Sequence, residues 1–148
     1  MSAANRTSLI IAAASLVLAA SASVQPAQSQ NAGAASLNYD FFKNQVQQVF
    51  LTKREGHTRC VVCHVTNNAP FHLVPLSPGA TSWNEEQSKQ NFELIRRVAA
   101  AGVTDSPLVK HPLAGEAGGD EHHGGGQQFT SQQDPAWQTL KAFVMGAK

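Results

Sequence analysis

Cys60-Val61-Val62-Cys63-His64 holds both cysteines of the 148-residue chain, and the rest of the sequence is best read outward from it. Two thiols three positions apart on a helical turn can each add to one vinyl group of a porphyrin. The adjacent histidine then projects an imidazole nitrogen to the iron. The C-x-x-C-H spacing therefore predicts one covalently bound haem c, with Cys60 and Cys63 as the thioether sulfurs and His64 as the proximal iron ligand.

Three other chemistries use paired cysteines. A thioredoxin-like dithiol wants a βαβ context, for which the sequence gives no strand-like alternation. A structural zinc site needs four nitrogen or sulfur ligands and would have to borrow two histidines at unusual spacing. A disulfide suits an exported chain, but a bridge across two intervening residues closes too short a loop to add much stability.

Upstream of the motif, Phe42, Val46, Val49 and Phe50 recur at helical spacing, which predicts a helix from Tyr39 to about Lys53 with Asn38 as its N-cap. Residues 23–37 are small and polar and read as a flexible leader. Residues 1–22 read as a signal peptide: Arg6 supplies the positive charge, Leu9 to Ala20 the apolar stretch, and Ala20-Ser21-Ala22 a small-residue site with cleavage before Ser23. The apolar stretch is shorter than the ~20 residues a membrane-spanning helix needs. The mature chain is thus expected outside the cytoplasm, in the periplasm or secreted, without membrane insertion.

Downstream, Pro70, Pro75 and Pro78 break regular helix between Val65 and Ala80. Phe71, Leu73, Val74 and Leu76 in the same stretch suggest a loop wrapped over something hydrophobic, and a porphyrin edge would qualify. Ser82 and Glu85 have capping-box spacing ahead of Phe92, Ile95 and Val98, with Gly102 as the expected stop. Val103 to Gln133 reads as a long irregular region. Asp134 as N-cap and Pro135 at the first helical position open a last helix whose apolar face is Trp137, Leu140 and Val144. The expected fold is all-α: a small domain over residues 38–148, of about three helices with long irregular loops around one haem.

Charged residues make up 14% of the chain and the formal net charge is +1, so bulk electrostatics do not favour nucleic acid or an anionic membrane. Loss of Arg6 takes Lys+Arg from 11 to 10, equal to the 10 Asp+Glu. Lys53, Arg54 and Arg59 precede the motif, whereas Asp105, Glu116, Asp120, Glu121 and Asp134 follow it. That asymmetry could form a docking face for an acidic partner.

The second axial ligand is less direct. After Ser23 the only methionine is Met145, at the edge of the last apolar face near the terminus, where ligation is awkward. The histidines are His57, His72, His111, His122 and His123. His57 stands seven positions before His64, and His72 lies in the proline-rich loop. His123 opens the Gly124-Gly125-Gly126 run just ahead of the last helix, where glycine lets backbone approach a flat porphyrin.

Four segments, Phe41-Phe42 to His64, Pro107-Leu108 to Leu113, His123-Gly124-Gly125-Gly126 and Asp134-Pro135 to Val144, resemble bacterial planctomycete-type cytochrome c domains, and the resemblance covers nearly all of residues 38–146. It implies a single-haem, extracytoplasmic, cytochrome c-like domain in which His123 takes the place of the usual methionine ligand.

With both axial positions filled by protein, haem has one-electron transfer left to it. The expectation is a non-enzymatic electron carrier serving redox protein partners, which include a membrane-bound electron-transfer complex among the candidates. A haem enzyme or gas sensor with an open distal site, recruiting His111, His122 and Asp120, is the alternative, and a haem-bearing structural subunit is a third.

Overall fold

Asn38 begins the first helix: its Oδ1 accepts from the amide of Phe41 at 2.8 Å, which satisfies one of the amides that have no partner in a helical first turn. In the computed structural model, which describes residues 35–66, 69 and 71–148, an α-helical turn α1 (Tyr39–Phe41) runs through a π-helical segment (Phe42–Val46) into α2 (Gln47–Leu51). The signal segment 1–22, most of the leader and Pro70 lie outside the described residues. Residues 35–37, assigned to the leader, differ from a free tail, because Leu37 packs against the core.

The motif forms α3 (Cys60–His64), followed by α4 (Glu85–Ala99), α5 (Pro107–Lys110) and α6 (Pro135–Val144). Among the described residues the fold is all-α, with no strand and one isolated bridge between Leu113 and Phe129. No helix there is long and apolar enough to cross a membrane.

Phe42, Val46, Ile95 and Phe143 are fully buried where α4 and α6 meet the first helix. Phe92 joins them, with ring centres 5.5 Å from Phe42 and 6.3 Å from Phe143. Aromatic pairs at these separations add roughly 1 kcal/mol each beyond the area they bury. The two tryptophans spend their N–H groups on backbone. Trp83 donates to Val74 O at 2.7 Å and Trp137 to Val109 O at 2.8 Å, which pins the proline-rich loop and α5 to the core.

Three expectations need correction. The capping box of α4 is Asn84 with Gln87, not Ser82 with Glu85: Asn84 Oδ1 accepts from the Gln87 amide at 2.9 Å, and Gln87 Oε1 accepts from the Asn84 amide at 3.1 Å. Glu85 is taken up elsewhere, by the Tyr39 hydroxyl and Lys43. The same helix stops at Ala100, which itself adopts a left-handed conformation (φ 41°), while the Gly102 amide donates to Val144 O at 2.8 Å and ties the following turn to α6. The region Val103 to Gln133 is not wholly irregular, since it contains α5 and a 3-10 turn at Gly115–Ala117.

Asp134 caps α6 as expected, accepting from the amides of Ala136 at 2.9 Å and Trp137 at 3.3 Å. Its carboxylate also pairs with Arg54, and both side chains are mostly buried. Burial pushes the Asp134 carboxyl up, but Arg54 and the two amides outweigh it and hold the group below the usual range. A depressed folded value means that this stabilisation is complete above the ordinary carboxyl pKa of about 4 and is lost as pH falls through the folded value. Asp134→Ala should therefore cost about 1–2 kcal/mol at pH 7, by loss of the cap alone. Urea unfolding at pH 7 and pH 3 checks this, with the difference from wild type shrinking at the lower pH.

Candidate functional site

The turn between Thr52 and Arg59 delivers α3 against the first helix, so that Val61 and His64 point inward, Cys60 is half-buried, and Val62 and Cys63 face solvent. This follows from helical spacing: positions 61 and 64 share one face, and 62 falls on another. Both cysteines carry free thiols. Burial pushes the Cys60 thiol up, the reverse of the depressed pKa that an attacking dithiol uses.

His64 is 8% exposed. Its Nδ1 lies 3.2 Å from Phe71 O, and the Phe71 ring stacks on the imidazole with centres 4.1 Å apart. One loop residue thus fixes both the plane and the tautomer of His64, with Nδ1–H on the carbonyl and the Nε2 lone pair free. Burial is the main influence that lowers the His64 pKa, and it outweighs the opposing carbonyl contact, so the imidazole is neutral at neutral pH.

His123 reaches the same place from the loop before α6. Its Nδ1 is 2.7 Å from Gly126 O, which again leaves Nε2 free, and burial again lowers its pKa most. The His64 and His123 ring centres are 6.4 Å apart, with planes inclined by 32°. His111 stands edge-on to His123 at 4.8 Å, and its Nδ1 is 3.0 Å from Asp120 Oδ2.

All three histidines border an apolar cleft walled by Val49, Phe50, Cys60, Leu108, Phe129 and Leu140. Two recesses share its walls. One of about 270 Å³ is bounded by Val98, Asp105, Lys110 and Asp120, and another of about 450 Å³ by Val62, Cys63, Thr66, Gly124 and Gly125. A Cβ placed on Gly125 would sit 3.8 Å from Cys63 Sγ and 3.7 Å from the His123 ring, ordinary contact distances, so Gly125 lies between the second thiol and the histidine with room for a side-chain carbon.

The other candidates lie apart from this constellation. His72 and His122 are exposed, and His57 is half-buried without bordering the cleft. Met145 stands at the C-cap of α6, 46% exposed. Among the described residues no three His, Cys, Asp or Glu side chains gather as a metal-ion cluster, which gives zinc no ligand set there. Arg54 is committed to Asp134, which joins a basic and an acidic member of the expected charge asymmetry and weakens the case for a docking face built on it.

Sequence reasoning did not assign roles to Phe71 as the brace of His64 or to Gln128 on the cleft wall. Phe71 acts through a backbone carbonyl and ring stacking, and only its place among the apolar loop residues signals it. Comparison with known proteins finds no matching family model, no matching curated protein and no matching solved structure.

Proposed function

We propose that the chain is an extracytoplasmic c-type cytochrome that carries one haem c on Cys60 and Cys63 and passes single electrons between redox protein partners. The observation that carries this reading is the pairing of His64 and His123 at an apolar cleft bordered by Cys60. Each imidazole is held through Nδ1 on a backbone carbonyl, and the ring centres lie 6.4 Å apart. Two metal–nitrogen bonds of about 2 Å, with the half-width of each ring, place facing imidazole centres roughly 6 Å apart. The donor set therefore fits an iron porphyrin, which His64 and His123 would hold through their free Nε2 atoms.

When bound, the group supplies reversible one-electron exchange at iron. Everything else falls to the polypeptide. The two thiols would hold the porphyrin by adding across its vinyl groups, each forming a carbon–sulfur bond as the thiol hydrogen passes to the neighbouring vinyl carbon. Leu108, Phe129 and Leu140 give the cleft its apolar wall, burial keeps His64 neutral, and Phe71 keeps it oriented. Cys63 and Val62, the latter 45% exposed, bring the second attachment point to the surface, where a partner can approach closely. With His64 and His123 both serving as ligands, the haem would have one-electron exchange left to it, which supports a carrier rather than an enzyme or gas sensor.

The absorption spectrum of the mature protein tests the reading. A carrier gives a six-coordinate low-spin haem in both redox states that binds carbon monoxide only slowly. A high-spin fraction with ready carbon monoxide binding would favour the enzyme or sensor.

A further inference from the structure

Gln128 is 5% exposed and borders the cleft. Its Nε2 donates to Gly125 O and to Gly126 O, each at 3.2 Å, and its buried Oε1 has no hydrogen-bond partner. Gly126 O is also the acceptor for His123 Nδ1, so the two side chains meet at a single carbonyl. Gly126 has φ 79°, which glycine adopts freely and a side-chain-bearing residue only at a cost, so the carbonyl sits in a glycine-specific turn. Gln128 is itself anchored: its amide donates to Pro112 O at 2.8 Å, and its carbonyl accepts from Arg54 Nε at 3.1 Å.

A buried amide with one end satisfied and the other orphaned is destabilising, so its place on the cleft wall calls for a compensating role. We propose that Gln128 is a positioning residue for the distal ligand. It fixes the 125–126 turn, so that Gly126 O accepts the hydrogen bond from His123 Nδ1–H and the Nε2 lone pair stays turned into the cleft. The inference rests on the reading of His123 as an iron ligand. The arrangement gives His123 the same kind of carbonyl brace that Phe71 gives His64, but supplied by a side chain acting at one remove.

The test compares haem-loaded wild type, Gln128→Met, His123→Ala and Ile95→Val by the rate at which the ferrous protein binds carbon monoxide. Loss of such outer-shell support typically weakens metal ligation by 10–100-fold, so Gln128→Met should bind carbon monoxide at least about tenfold faster than wild type. Ile95→Val loosens the core on α4 away from this loop and should leave the rate unchanged. If Gln128→Met does not accumulate, Gln128→Glu preserves size, lacks the amide donors and should show the same acceleration. A wild-type rate in the Gln128 variant, or equal acceleration in Ile95→Val, would overturn the positioning role. If His123→Ala binds carbon monoxide no faster than wild type, the ligand reading beneath it fails instead.

Discussion

His123→Ala is expected to turn a low-spin haem high-spin and to speed carbon monoxide binding far beyond the slow wild-type rate. The expectation rests on the 6.4 Å spacing between the His64 and His123 rings and on the free Nε2 that each carbonyl contact leaves. His111 is the nearest competitor, since it also borders the cleft, but its imidazole is tied to Asp120 and stands edge-on to His123. His111→Ala and Met145→Leu should accordingly keep the low-spin spectrum. Imidazole on both faces should place the midpoint potential below that of a His/Met haem, because methionine ligation raises it. An unchanged low-spin spectrum in His123→Ala, with high-spin character in His111→Ala or His122→Ala, would move the ligand to that residue.

The helices that position the site were legible where a single local signal dominates. Asn38 and the pair Asp134-Pro135 start their helices as their side-chain chemistry dictates, and Trp137, Leu140 and Val144 are buried as their spacing requires. Legibility failed where two local signals overlap. Ser82 to Glu85 and Asn84 to Gln87 both have capping-box spacing. The choice was made by tertiary contacts: the buried Trp83 reaches Val74 O, and Glu85 turns to Tyr39 and Lys43. The short helix α5 carries its own start signal in Ser106-Pro107, but four residues give no periodicity to detect.

The site divides in the same way. Cys60, Cys63 and His64 are adjacent in sequence and stand out by residue type. His123 is 59 positions from His64, and only the fold brings the two rings together. Phe71 contacts His64 through a backbone carbonyl, which every residue possesses, and the Gln128 side chain reaches only the carbonyl that His123 shares, so spacing in the sequence advertises neither contact.

The covalent bond to haem is the claim on which the rest depends. Cys60 borders the cleft and Cys63 the recess beside it, both as free thiols on one face of α3 or its edge, three residues apart. No other cysteine exists in the chain to take over either bond. Cys60→Ala combined with Cys63→Ala should therefore abolish covalent retention while leaving His64 and His123 in place, so that any haem still bound is held by the iron alone. The direct measurement is acid-acetone extraction of the haem-loaded wild-type protein beside this double variant. Haem is predicted to stay with the wild-type polypeptide and to leave the variant completely. Haem extracted from wild type, or still resisting extraction in the variant, would contradict the account.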